Sequence, residues 1–292
     1  MAALSMAPPS EFRARFPRDA GVRIHSTARV DPKAVLGIDV EVGPYAVIEA
    51  GARVADGAVV KSHAYVCSAS EIGSDCQIHM GAIVGHVPQI RDWAGEGGGL
   101  QIGPRTIIRE HATIHRASAP NSNTVIGSDV FLLANSHVAH DCHVGDGATV
   151  ANGALLAGFV TIGSRAFISG NVTVHQSVRV GALAIVGGNS RVAKDVPPFM
   201  MAVGDTRVRG LNIVGMRRAG LSAAARQRIR QAYGILYRSG LSVSTAVERL
   251  RGLPPSPEIQ ALIEFIETSV RGVCRGPGRL AVNPRLSSSP AD

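Results

Sequence analysis

The sequence predicts an all-β left-handed parallel β-helix of six-residue repeats, followed by a C-terminal α-helical domain. Three observations carry this. An Ile, Val or Leu recurs every sixth residue over most of the chain, and a small side chain follows it four positions later. Gly commonly stands directly after the aliphatic residue. Beyond Val192 the sixfold period stops and helical spacing takes over.

The repeat starts at Ile24 and runs through Val30, Leu36, Val42, Ile48, Val54, Val60, Val66, Ile72 and Ile78 to Val84. It resumes at Ile102, Ile108 and Ile114, and again from Ile126 to Val192. Small partners include Ala28, Ala46, Ala64, Ala148, Ala166 and Ala184. One hexad makes a short strand and a tight corner, so three hexads close a triangular coil of about eighteen residues. The β-branched side chain points inward and stacks on its counterparts in the coils above and below. The small residue fills the narrow part of the prism, and Gly is expected to permit the corner's unusual backbone angles. Parallel crossovers are ordinarily right-handed; the left hand expected here comes from hexapeptide coils being the known exception, not from the pattern itself.

Two segments, near 86–100 and 117–125, break the count yet return in phase, which marks them as excursions from a corner. Loops on a rigid scaffold are where ligands are commonly met. The prism is expected over 23–200, ending at Val196-Pro197-Pro198, with a helical domain over 201–275. Ile229, Ala232, Tyr233 and Leu236 recur at helical spacing. So do Ile259, Leu262, Ile263, Ile266 and Val270, behind a Ser256-Pro257-Glu258 helix start. Residues 1–22 read as a flexible leader and 276–292 as a disordered tail.

Composition agrees with a thin-layered repeat. Hydrophobic residues make up 45% of the 292 but aromatics only 4%, while Gly numbers 33. No apolar run reaches the roughly eighteen residues of a membrane span. The cysteines Cys67, Cys76, Cys142 and Cys274 show no CxxC pairing and read as core thiols of a reducing compartment, so the cytoplasm is expected. The net charge of +8 is uneven: from Arg207 onward fourteen Arg face five acids, a net +9. A basic end on a near-neutral body suits an acidic partner, either an acidic carrier protein or a diphosphate-bearing ligand. Nucleic acid is not expected, because the basic segment lacks interleaved aromatics, finger spacing and RNA-binding signatures.

Histidines concentrate the chemistry. His137, His140 and His143 lie close together, with His175 further on. One coil above His140 stands Gly158, and one coil above that stands Gln176, so the three should form a column. An imidazole base beside a Gly backbone N–H suits acyl transfer: the ring deprotonates a hydroxyl and the N–H holds the oxyanion. Asp141 would fix the tautomer. A zinc site is the chemical rival, since some hexapeptide prisms hold zinc between subunits through three histidines. One coil above His137 and His140, however, stand Leu155 and Gly158, so no metal is expected within one subunit.

Asn135 to Cys142 (NSHVAHDC), Ala151 to Gly158 (ANGALLAG), Val174 to Gln176 (VHQ), Val186 to Gly188 (VGG) and Asp195 to Pro198 (DVPP) resemble one family. It is that of the acyl-carrier-protein–UDP-N-acetylglucosamine O-acyltransferases, which begin lipid A synthesis. The resemblance covers roughly residues 23 to 275. It implies His140 as general base toward the glucosamine 3-hydroxyl, Asp141 as its orienting partner and the Gly158 N–H as oxyanion donor. It also implies His137 and His175 at the sugar, Gln176 and Gly188 along the acyl groove, and Asn212 and Arg218 at the uridine diphosphate. It further implies a homotrimer with sites between subunits, acyl carrier protein bringing the thioester, and no cofactor. Four positions depart from the family pattern: Phe159 replaces a His, Ile90 and Asp92 replace an Asp and a Lys, and Val214 replaces a Glu. They leave open a different acceptor (an amino-substituted sugar nucleotide, giving an amide), an acetyl-CoA donor, and a non-catalytic binding module.

Overall fold

A computed structural model describes residues 21–95 and 97–276 of the chain. The expected leader and tail therefore lie outside the described residues, but for 21, 22 and 276. Among the described residues three sheets, of 11, 9 and 8 strands, wrap into a left-handed triangular prism. We name its faces by their opening strands: face 1 from Arg23–Ile24, face 2 from Arg29–Val30 and face 3 from Val35–Leu36. The chain visits the faces in turn, so Arg23 pairs with Glu41 and His137 with Leu155, each 18 residues on.

Inside stand the sixth-residue aliphatics. Ile108, Ile114, Leu132, Leu156, Ile162 and Ile168 are fully buried, and so are Ala112, Ala148, Ala154 and Ala184 between them. Each buried Ile or Leu contributes about 2–3 kcal/mol of transfer free energy. A single coil cannot enclose its own row; each is covered by the coils above and below, spaced by roughly 4.8 Å.

The glycines behind the aliphatics act differently from the expectation. Positive φ falls two residues later, on Asp39, Asp75, Asp129 and Arg165 among others; Asp tolerates this left-handed region by bonding locally. Gly37, Gly73, Gly103, Gly127, Gly145, Gly163 and Gly181 instead form a column at the corner from face 3 to face 1, where successive coils touch. A Cβ on Gly163 would lie 2.4 Å from the Ala182 nitrogen, and one on Gly181 would lie 2.4 Å from that of Pro198. Close backbone approach, not torsion, keeps the residue there small, Gly in every coil of the repeat but the one that carries Ala55.

Both excursions leave one and the same corner, from face 2 to face 3. They occupy 87–98 and 116–122, between the strands Ile83–His86 and Gly99–Ile102, and Thr113–His115 and Asn123–Ile126. Across them the paired residues stand 30 and then 24 apart (Ile83 with Thr113, Thr113 with His137), and the register recovers afterwards.

Past Val192 the prism runs further than the repeat. Val196 is fully buried and bridges Val180. Met200–Ala202 adds one more parallel strand to face 1, and Val208–Leu211 returns antiparallel on it. Among the described residues four helices follow: α1 (Ile213–Arg218), α2 (Ala223–Tyr237), α3 (Val243–Arg251) and α4 (Pro257–Glu267). Helix α4 begins as its sequence indicates, with Ser256 accepting from the Ile259 N–H and Pro257 in the first turn. Val270, expected on its apolar stripe, lies beyond its end and is 99% exposed. The helices are tied back to the prism through buried Asp195, which accepts from the Arg179 N–H, the Arg179 guanidinium and the Ser269 hydroxyl. The four cysteines are free thiols, all buried. Burial pushes the Cys67 and Cys142 thiols up to about 12.

Candidate functional site

The corner from face 2 to face 3 carries the column expected from the 18-residue coil. His140-Asp141 form the turn between the strands His137–Val138 and His143–Val144. One coil on, Gly158-Phe159 turn between Leu155–Leu156 and Thr161–Ile162, and next Gln176-Ser177 between Thr173–Val174 and Arg179–Val180. Backbone bonds lock them in register: the Phe159 N–H donates to the His140 carbonyl at 3.1 Å, and the Ser177 N–H to the Gly158 carbonyl at 3.0 Å. The His140 ring lies directly on Gly158. A Cβ at 158 would stand 2.7 Å from Cε1 and 2.8 Å from Nε2, so only Gly leaves room for the ring.

The ring has a defined orientation. Its Nδ1 meets the Asp141 Oδ2 at 2.7 Å, with the two side chains only 13% and 10% exposed. A carboxylate acceptor there places the proton on Nδ1 and leaves the lone pair on Nε2. Nε2 has no hydrogen-bond partner among the described residues, and neither has the Gly158 N–H. Asp141 sits at φ 58°, and its N–H donates to the buried Thr124 hydroxyl at 2.8 Å. The Phe159 ring stands edge-on to His140, centroids 5.3 Å apart, and is itself 45% exposed. Leu155, on the preceding strand of face 2, is likewise 45% exposed.

His137 packs beneath. Its Nδ1 is 2.8 Å from the Thr113 hydroxyl, and its ring is 5.2 Å from that of His115. Burial first, then the neighbouring imidazoles of His115 and His140, pulls His137 down to about 4, so it is neutral near pH 7. Burial also lowers His115, whose Nδ1 is bonded to the Val87 carbonyl of the first excursion. His115 went unmarked in the sequence, although Ile114 pairs with Val138 and so places it directly below the His140 turn. His175 and Gln176 are exposed at the top of the column.

The remaining sequence-marked residues lie elsewhere on the chain. Gly188 turns the corner from face 1 to face 2, stacked on Gly170 through the Asn189 N–H. Asn212 is buried and caps α1: its Oδ1 accepts from the Gly215 N–H, and its Nδ2 donates to the Leu183 carbonyl at 2.8 Å. Arg218 ends α1. One chain thus unites His140, Asp141, Gly158 and Gln176, with His137 and His175 adjoining, while Gly188, Asn212 and Arg218 occupy other edges. Of the departures, Ile90 and Asp92 are exposed on the first excursion, and Val214 is 58% exposed on α1. Among the described residues no three His, Cys, Asp or Glu side chains are grouped to hold a metal ion.

Known proteins share this architecture. A family model described as bacterial transferase hexapeptide (six repeats) matches residues 123–158. Another, described as Udp N-acetylglucosamine O-acyltransferase, Domain 2, matches residues 195–274. The acyl-[acyl-carrier-protein]–UDP-N-acetylglucosamine O-acyltransferase of Herminiimonas arsenicoxydans is 43% identical over 259 residues, covering 86% of this chain and 99% of the relative. That of Halorhodospira halophila is 45% identical over 256 residues, covering 87% and 99%. Among solved structures, LpxA from Acinetobacter baumannii superposes with a TM-score of 0.83 at 40% identity, covering 86% of this chain and 99% of that one. The Francisella novicida UDP-N-acetylglucosamine acyltransferase gives 0.84 at 31% identity, covering 92% and 100%. With 43% and 45% identity across 99% of two such relatives, the chain belongs to the acyl-[acyl-carrier-protein]–UDP-N-acetylglucosamine O-acyltransferase family.

Proposed function

We propose that this chain moves a 3-hydroxyacyl group from acyl carrier protein to the 3-hydroxyl of UDP-N-acetylglucosamine, the reaction that opens lipid A synthesis. The observation that carries the reading is the unpartnered His140 Nε2 lying on Gly158, with Nδ1 committed to Asp141. In the reaction Nε2 takes the proton of the sugar hydroxyl as its oxygen attacks the thioester carbonyl. Asp141 supports the imidazolium that results. The Gly158 N–H receives the tetrahedral oxyanion. Collapse releases the carrier thiolate, which recovers the proton from the imidazolium. The thioester is itself the activated group, so the reaction balances without metal or redox cofactor.

His137, neutral and buried beside the base, is suited to hydrogen-bond a sugar oxygen without competing for its proton. His175 joins it at the sugar, and Asn212 and Arg218 meet the diphosphate. Gln176 and Gly188 line the acyl groove. Because Gly188, Asn212 and Arg218 stand on other edges of the chain, a homotrimer that sets one prism against the next completes the site from two copies. Exposed Arg230, Arg238 and Arg249 on or beside α2 and α3 offer the acidic carrier a basic landing surface. The cytoplasm supplies both substrates.

Turnover measured by mass spectrometry, with carrier-bound 3-hydroxyacyl chains or acetyl-CoA as donor and UDP-N-acetylglucosamine as acceptor, tests this. Activity is expected with the carrier donor, and His140→Ala should lose a factor of about 100 or more. Full turnover in that variant, or transfer from acetyl-CoA alone, overturns the reading.

A further inference from the structure

The Asp141 carboxylate is held by more than its own turn. Besides His140 Nδ1, it accepts from the Ser118 backbone N–H, 3.2 Å from each oxygen, and from the Ser118 hydroxyl at 2.6 Å. That hydroxyl binds Oδ2, the oxygen that also faces the imidazole. Ser118 lies in the second excursion, one coil below the base. Its carbonyl accepts the Trp93 indole N–H at 3.2 Å, from the first excursion. The Arg116 guanidinium covers the Trp93 ring at 5.5 Å. Main-chain bonds join the excursions: the Gly98 N–H donates to the Ala117 carbonyl and the Ala117 N–H to the Gly99 carbonyl, both at 3.0 Å. Their approach is close enough that a Cβ on Gly98 would fall 1.9 Å from the Ser122 carbonyl oxygen. One connected path therefore runs from Trp93 through Ser118 and Asp141 to His140.

We propose that Ser118 is a positioning residue for acyl transfer, and that the two excursions are the frame that holds it against Asp141. This rests on the reading of His140 as the base. A lone carboxylate in a turn can rotate; one gripped by an N–H and a hydroxyl presents Oδ2 to the imidazole in one direction only. The ring then stays on Gly158 with Nε2 outward. With that hydroxyl removed, Oδ2 loses its second donor and the carboxylate can turn away from the imidazole.

Steady-state kinetics of the full-length protein with carrier-bound 3-hydroxyacyl donor and UDP-N-acetylglucosamine test this. Ser118→Ala should lower kcat about tenfold, the scale of one hydrogen bond to a charged group, with KM for the sugar nucleotide unchanged. Ser118→Thr, which keeps a hydroxyl, should restore the rate. Trp93→Phe, which keeps the ring and loses the N–H, should lower kcat by less with KM again unchanged, and it carries the test if Ser118→Ala fails to fold. A Ser118→Ala enzyme with unchanged kcat, a fall confined to KM, or a loss that Thr does not rescue overturns the proposal. His140→Ala separates the two readings: if it is inactive while Ser118→Ala is normal, only the positioning role falls; if it is active, the base assignment falls first.

Discussion

An imidazole laid flat on a glycine α-carbon leaves no space for a methyl group, and this decides what position 158 tolerates. The backbone there has no positive φ, so Gly158→Ala introduces no torsional strain, only a clash with the His140 ring. The variant should keep its unfolding free energy within about 1 kcal/mol. It should lose roughly 100-fold in kcat, the order seen when an oxyanion donor or its partner is misplaced. Wild-type kcat in a folded Gly158→Ala enzyme would show that ring and N–H do not act together. The column of His140, Gly158 and Gln176 was legible in the sequence because stacking depends only on residues per coil. Ser118, Trp93 and His115 were not, because their meeting depends on the paths of two excursions that obey no period. Nor does any period place Gly188, Asn212 and Arg218 at the site; resemblance alone assigned them, and within one chain they stand on other edges.

At the scale of the coil, stability is set by how closely successive layers approach. The glycine column at the corner from face 3 to face 1 is a contact surface between backbones. Gly163→Ala should therefore cost about 1–3 kcal/mol in denaturant unfolding, since its nearest neighbours are main-chain atoms that cannot swing away. Gly170→Ala is the matched control: its Cβ would meet nothing closer than the Asn152 oxygen at 3.4 Å, and its φ is not positive, so little change is expected. Equal losses at the two sites would contradict this account of the corners. Strands, coil length and the in-phase excursions could be read from composition at every sixth position. The role of the glycines could not, because a Gly reports permission without saying whether torsion or proximity required it. The hairpin Met200–Ala202 with Val208–Leu211 and the short helix α1 also escaped, since neither is long enough to show a period. Helix α3 carries its apolar residues Ala246, Val247 and Leu250 at helical spacing, yet over nine residues only.

Across the whole molecule, the prism is a rigid rod with the His140 column at one edge. Its excursions gather at that edge, its helices and basic residues at one end, and the remaining groups assigned to the substrate on other edges. A long acyl chain and a nucleotide diphosphate are both larger than the His140 turn alone can hold, which is why the proposed function requires a second copy. The most direct test is a crystal structure of the protein with its acylated UDP-sugar product. The account predicts a trimer in which the ester oxygen on the sugar lies within about 3 Å of His140 Nε2. The acyl carbonyl should accept from the Gly158 N–H, and the chain should run toward Gln176 between two prisms. A product seated at another corner, with His140 Nε2 contacting no substrate atom, would contradict it.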